Sequence, residues 1–441
     1  MGPCELFDMG QGSRQSTVSV ERLGCQNPNS RKVFEMKSPL PPVAGAKFRF
    51  ASVDLQPLLG LAKLVHLPST ELSTLIVRAH ASADLAHTCM QMFHVLLALD
   101  QRDFALDMQA KALAQRVLYR MVGPAKPVIR LLALMAPGDM LDNTGLEFVI
   151  DNSDIRLDLL YLLPDQELPD LIPDHDLAMV AIGESDKNRP LLMRLAAWQT
   201  DWPRPMLNPP QNIQRCARET VFQLLHDIPG LLVPATRRLN REQARQAPFP
   251  YTIRPVDTQG GNGLVKIDRL AELEAFFALH PDTDYHVADY VDYRSDDGRC
   301  RKFRIALIDG RPYLCHLAIS DHWMVHYRSA GMDVDAGKRA EEANAMASFD
   351  CDFSLRHHPA LQAIAARLGL DYVVLDCSET RDGRLLLFEA DSRGWIHATD
   401  PVDLFPYKPA VMQKAFDAFR TMLLKHAQQH QQTCAGTVPS L

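Results

Sequence analysis

Three acids near the end of the chain carry the clearest chemistry in it: Asp376, Glu389 and Asp391, within DYVVLDCSETRDGRLLLFEAD. Two apolar runs, YVVLDC and RLLLFEA, flank Asp382-Gly383, and Asp-Gly between such runs is a strong hairpin signal. With those two residues as the loop, Arg381 pairs with Arg384, which sets Asp376 opposite Glu389 and Asp391 opposite Val374. Side chains alternate faces along a strand, so the carboxylates share one face, with opposed Cβ atoms about 5 Å apart. Like charges that close repel, and a half-buried strand face hydrates them poorly. A hard cation relieves this, and Mg²⁺ in particular is held by one or two carboxylates together with nucleotide phosphates. The alternative is an exposed edge with solvated acids; the flanking Leu and Val runs argue for burial.

Cations that suit phosphate lie upstream. In YTIRPVDTQGGNGLVKI the glycines Gly260, Gly261 and Gly263 sit between two strand-like runs, with Arg254 before them and Lys266 after. Glycines that open no helix are neither a Walker loop nor a dinucleotide fingerprint. A glycine tip can, however, fold its N–H groups over phosphate oxygens, because no Cβ obstructs the approach. In RKFRIALIDG, Lys302 and Arg304 share a strand face, and two adjacent cations there need anions. His316, His322 and His326 include an i, i+4 pair, but no third ligand with a supporting Glu accompanies it, so zinc is disfavoured.

The elements that must position these residues are readable in outline. Residues 1–48, rich in Gly, Ser, Pro, Asn and Gln, read as a loose arm. Residues 49–123 read as helical, with a hairpin turning at Gln101-Arg102-Asp103 and a second helix running to Met121; LLALDQRDFALDMQAKAL resembles one degenerate tetratricopeptide unit. Residues 124–208 alternate short apolar strands with polar loops, as a small α/β domain does. The loop after LAMVAIG lies at a strand's carboxyl end, where open α/β sheets bind ligands, which makes Glu184, Ser185, Asn188 and Arg189 substrate candidates against an ordinary solvated loop. WPRPMLNPP is a stiff connector. After it come a helix carrying Arg215 and Arg218, the glycine tip, a helix, and a three-strand meander through DYHVADYVDYR, RKFRIALIDG and RPYLCHLAIS. HPALQAIAARLGL, with Pro near its start and Gly at its end, delivers the chain into the acidic hairpin, and residues 429–441 read as a tail.

Composition narrows the field. A chain of 441 residues calls for two or three domains. A net charge of −7 gives no electrostatic reason to expect nucleic acid or an anionic membrane. The nine cysteines, an odd number without a C-x-x-C pair, read as reduced thiols, and no apolar run is long enough to span a bilayer. The N-terminus has no basic region followed by an apolar core, so the expected location is cytoplasmic.

In this order, helix, Pro234-Ala235-Thr236, strand, glycine tip, helix, linker, cationic strand and a paired Asp and Glu ending in FEAD, residues 130 to 425 resemble the ATP-grasp superfamily of carboxylate ligases. The resemblance implies an α/β and α+β protein: two α+β subdomains sandwiching ATP over residues 209–428, preceded by a small α/β domain. It implies ATP and Mg²⁺ as cofactors, with a substrate carboxylate turned into an acyl phosphate and attacked by an amine. Asp376 and Glu389 match the Mg²⁺-binding acids, with Asp391 where the family usually has Asn. Gly260, Gly261 and Gly263 match the loop over the phosphates; Ala288, Asp289, Tyr290 and Val291 match the linker that binds adenine through its backbone; and Arg304 matches the arginine beside the transferred phosphoryl group. Arg254, and Arg218 or Arg215, stand where relatives carry lysines, which keeps the charge but changes its geometry. Lys302 stands where many relatives have a ribose-binding acid, a role left to Asp292 or Asp297. His316, Arg393 and His397 border the acceptor site by the same resemblance, against a reading as structural groups.

Two classes of function remain: a ligase joining a small or peptide carboxylate to an amine, and an ATP-binding scaffold whose helical region recruits a protein partner. A kinase acting on a hydroxyl is a third. A homodimer is compatible with each.

Overall fold

The computed structural model describes residues 49–80, 83–169, 171–327 and 329–436; the expected N-terminal arm lies outside them.

Six strands build the first sheet, in the order Pro57–Leu58, Leu118–Met121, Ile155–Tyr161, Ile129–Met135, Leu177–Val180, Met206–Leu207. All pairs are parallel except that between Leu118–Met121 and Ile155–Tyr161. Its strands are apolar almost throughout because both faces are covered. Leu131, Ala133, Leu157 and Leu159 pack with the helices Leu85–Ala98 and Arg102–Leu113. Leu132, Leu134 and Leu160 pack with Arg189–Gln199.

This sheet corrects the expected boundary at 123/124, since strands from both sides of it pair within one sheet. The helical hairpin lies on that sheet and is not the start of an array. Its turn spans 99–101, with Asp100 at φ 57°, and Leu118–Met121, expected as helix, is a strand.

Two further sheets face one another across the site. The smaller is antiparallel, in the order Thr236–Asn240, Asp284–Asp289, Tyr251–Pro255, Val265–Ile267, and has a core of its own around Tyr251, Ile253, Phe276 and Tyr285. The larger runs Arg311–Ser320, Cys300–Ile308, Tyr372–Glu379, Leu385–Asp391, Leu231–Leu232. The expected meander is therefore divided: Asp284–Asp289 belongs to the small sheet, and the chain crosses to the large one through 290–299. Apart from that crossing, the pair of α+β units behind an α/β domain is the arrangement expected.

The helix Lys408–Gly436 ties the α/β domain to the large sheet. Its Phe419 meets Tyr372 edge-on at 5.7 Å, and Arg420 Nη2 pairs with Asp154 at 2.6 Å. The expected tail from 429 begins inside this helix.

Candidate active site

The acidic hairpin has the predicted register: Asp376 is opposite Glu389 and Val374 opposite Asp391. Two departures cancel to give it. The loop takes three residues, Arg381 to Gly383, closed by Thr380 N–H donating to Arg384 O at 2.9 Å, with Gly383 at φ 79°. The pairing then slips by one between Asp376 and Cys377, where Cys377 meets Leu387 and Phe388 is left over as a bulge. A bulge re-aims the residues beyond it.

Each acid is met by a cation from another element. Asp376, 9% exposed, accepts on both oxygens from the Arg304 fork, Nε donating to Oδ1 at 2.8 Å and Nη2 to Oδ2 at 3.0 Å, while Lys302 Nζ donates to Oδ2 at 3.1 Å. Burial would raise this carboxyl, but Arg304 and Lys302 outweigh it and hold it well below the usual carboxylate range. Glu389 is gripped by Arg218 Nη2 at 2.6 Å; against burial, Arg218 and Arg254 keep it ionised. Asp391 accepts from the Arg393 N–H at 3.0 Å, with that residue's Nε 3.3 Å away. Burial dominates there and raises Asp391. Among the described residues no three His, Cys, Asp or Glu side chains form a ready-made metal cluster. The expected triad is thus an opposed pair, Asp376 and Glu389, with Asp391 directed to Arg393.

Arg218 opens the helix Arg218–Leu225 and also reaches Gln259 Oε1, at 3.5 Å, in the tip of the small sheet. That contact joins the two sheets over the acids. Arg215, the alternative position, donates to the carbonyls of Arg367 and Leu368 at 2.9 and 3.2 Å, closing the end of the helix His358–Leu368. It is a structural clamp.

Arg254 is the second cation acting on Glu389. It is 6% exposed, its Nε donates to Thr258 Oγ1 at 2.9 Å, and its Nη2 is buried without a hydrogen-bond partner. Burial, with Arg218 adding to it, pulls the guanidinium down to about 9. A buried guanidinium nitrogen without a partner is costly, and an entering anion removes the cost.

The glycines occupy the expected tip between Tyr251–Pro255 and Val265–Ile267, all with positive φ: 62° at Gly260, 81° at Gly261 and 66° at Gly263. A Cβ on Gly260 would meet nothing within 4 Å, whereas one on Gly263 would fall 2.9 Å from Pro255 Cδ. The Lys266 ammonium binds Asp268 at 2.7 Å and lies 4.4 Å over the Tyr290 ring.

The linker is only partly as expected. Asp289 and Tyr290 N–H groups donate to the carbonyls of Ala235 and Pro250 at 3.3 and 3.4 Å, and Ala288 pairs with both neighbouring strands. Those two N–H groups are thus spent within the protein, and Val291 packs against the large core. The ribose candidates are engaged as well, Asp292 with Arg294 at 2.5 Å and Asp297 with Arg301 at 2.8 Å.

At the far end of the site, His316 lies opposite Arg304 in the strand register and 4.5 Å from the Tyr327 ring. Burial, with Arg304 and Lys408 adding to it, keeps the imidazole neutral. His397 Nδ1 is 2.9 Å from Thr399 Oγ1. Residues 321–324 are not helical, and His322 Nδ1 accepts from Met324 N–H at 3.1 Å, which removes the geometry a zinc pair would need.

Arg393 reaches back to the α/β domain: a Cβ on Gly183 would fall 2.2 Å from its Cδ. This brings the 184–189 loop to the hairpin. Within the loop Ser185 caps Asn188, Oγ to N at 3.1 Å, and Glu184 pairs with Arg189 at 3.1 Å. Ser185 and Asn188 hold the loop's shape.

Sequence reasoning missed Trp395 and the buried group around Lys408. Lys408 Nζ bonds the Tyr327 hydroxyl, Asp400 at 2.8 Å and Glu342 at 3.4 Å, and Glu342 also accepts from Tyr407 at 2.6 Å. An Arg-Gly-Trp one residue beyond the acidic strand was the available signal for Trp395. Nothing local marks Lys408.

No family model matches the chain, and no curated protein does. Among solved structures it is similar to the D-alanine–D-alanine ligase from Bacillus anthracis complexed with ATP, at 13% identity and a TM-score of 0.41, over 69% of this chain and 99% of that one. It is also similar to a RimK domain ATP-grasp protein from Sphaerobacter thermophilus, at 16% and 0.40, over 67% and 99%. The D-Ala:D-Ser ligase VanG from Enterococcus faecalis matches at 10% and 0.42, over 67% and 99%.

Proposed function

We propose that the chain is an ATP-dependent ligase, binding Mg-ATP between its two facing sheets and using it to join a carboxylate to an amine. The observation that carries this reading is Arg254, a buried guanidinium with one nitrogen unpartnered, set beside Arg218 and Glu389. A polyphosphate supplies the hydrogen-bond partner that Arg254 Nη2 lacks. The opposed acids Asp376 and Glu389 supply the oxygen ligands that accompany phosphate around Mg²⁺. Bound there, the metal would neutralise charge on the transferring phosphate.

The protein's own part is alignment and charge. A substrate carboxylate oxygen attacks the γ-phosphorus and ADP leaves. Arg304, on the strand beside Asp376, offsets charge on the phosphoryl oxygens in transfer. An amine then attacks the acyl carbon and phosphate departs. The acyl phosphate is easily hydrolysed, so water has to be kept out, and the glycine tip, joined to Arg218 through Gln259, is placed to close over it.

The test is ADP release from the purified protein with Mg-ATP and pooled carboxylic acids, with hydroxylamine as a trap. Hydroxamate is the expected product. ADP formed with a hydroxyl substrate and no hydroxamate would replace this reading with a kinase, and nucleotide binding without turnover would replace it with a scaffold.

A further inference from the structure

Thr258, four residues beyond Arg254, fixes how that guanidinium lies. Arg254 Nε donates to Thr258 Oγ1 at 2.9 Å, and the hydroxyl donates in turn to Pro255 O at 2.7 Å. With its one hydrogen committed to the carbonyl, the hydroxyl meets the guanidinium only as an acceptor. Nε and Nη2 share one edge of a guanidinium, the edge with which Arg304 forks Asp376. On Arg254 the threonine takes Nε, and Nη2 is left buried without a partner. A two-pronged donor is thereby reduced to a single one.

The threonine is itself held from both sides. Asp257, at φ 59°, accepts from the Asp186 N–H at 3.1 Å, which ties it to the 184–189 loop of the α/β domain. Gln259 Oε1 accepts from Arg218 Nη2 at 3.5 Å. Three consecutive residues of the tip are thus fastened to three different elements, and the middle one carries Arg254. The guanidinium needs such a hold, because Glu389 attracts it and attraction is strong where water is excluded. Even so, the Arg254 hydrogen bond goes to Thr258, and that of Glu389 goes to Arg218, at 2.6 Å.

We propose that Thr258 is a positioning residue for the polyphosphate: its hydroxyl keeps Arg254 off Glu389, so that Nη2 is reserved for a phosphate oxygen. This rests on the binding of Mg-ATP in the reading above. Valine at 258 keeps the shape of threonine but puts a methyl group where the hydroxyl accepts. Arg254 then turns to Glu389, and an entering phosphate has to break that pair before it can bind.

The probes are inorganic tripolyphosphate and a non-hydrolysable ATP analogue, each titrated calorimetrically into the full chain with Mg²⁺ present. T258V should weaken both about tenfold, the worth of one hydrogen bond to a charged group. T258S, which keeps the hydroxyl, should bind as the native chain does. In R254M there is no guanidinium to place, so adding T258V should cost nothing further. Thermal unfolding reports which variants fold, and T258A replaces T258V if valine does not. Native affinity without the hydroxyl, a loss in T258S equal to that in T258V, or a further loss when T258V is added to R254M would overturn the positioning role. A native chain that binds neither probe would remove the Mg-ATP reading and the role of Thr258 with it. The expected pattern of binding, with no hydroxamate from any carboxylic acid, would leave Thr258 in its role and remove only the ligase step.

Discussion

Asp376 and Glu389 face each other across adjacent strands, yet each is neutralised from outside the hairpin, Asp376 by Arg304 and Lys302 and Glu389 by Arg218. The groups proposed to hold phosphate and those proposed to hold the metal thus satisfy one another. Nucleotide that draws Arg218 away frees a carboxylate for Mg²⁺, so each ligand should strengthen the other, and by linkage to the same degree. A non-hydrolysable ATP analogue should raise Mg²⁺ affinity at least tenfold in calorimetry. In E389Q, with Arg218 released, metal-free analogue should bind roughly tenfold tighter and Mg²⁺ should no longer improve it. Independent binding of the two in the native protein would contradict this arrangement.

Arg254 predicts a trade between stability and binding. Its guanidinium is buried with Nη2 unpartnered, so R254M removes a poorly satisfied buried charge and keeps much of the side-chain volume. Thermal unfolding of the ligand-free protein should shift upward, by about 1–3 kcal/mol in stability. Affinity for ATP should fall at least a hundredfold. A variant both less stable and unimpaired in binding would show that Arg254 is structural.

What was legible in the sequence was local. Alternation and an Asp-Gly turn placed Asp376 against Glu389, although through a two-residue loop where the chain uses three residues and a bulge at Phe388. The glycine tip was legible because it lies between two short strands that pair directly. The partners of the acids were not: Arg218 meets Glu389 across 171 residues and Arg304 meets Asp376 across 72. Pairing at that range leaves no periodic trace. The two-residue strand Pro57–Leu58 was hidden for the same reason, since its parallel partner Leu118–Met121 lies beyond the whole helical hairpin.

The tip separates conformational cost from contact cost. Gly260 and Gly263 have nearly equal φ, 62° and 66°, but only at Gly263 would a methyl group strike a neighbour, 2.9 Å from the rigid Pro255 ring. An L-residue at such φ costs about 1 kcal/mol. G260A should therefore lose about that much stability, and G263A about 1–3 kcal/mol more, the usual range for overpacking. Urea unfolding measures both, and equal losses would show that the tip shifts freely around residue 263.

Glu147 should give the folded protein a measurable pH dependence. Its carboxyl rises from an ordinary 4.5 to about 7, because burial outweighs the N–H groups of Ala62 and Leu61, and Asp151 adds to the rise. Below pH 4.5 it is protonated folded or unfolded and contributes nothing to the slope. Between 4.5 and about 7 the unfolded chain releases this proton while the folded one retains it, so stability falls as pH rises. Above 7 the loss is complete, amounting to about 3 kcal/mol for this group alone. E147Q keeps an oxygen for the Ala62 N–H but cannot titrate. Urea unfolding from pH 4.5 to 8 should show the native protein losing stability relative to E147Q across that window, with the gap constant above it. Parallel curves would mean that Glu147 is already ionised in the fold.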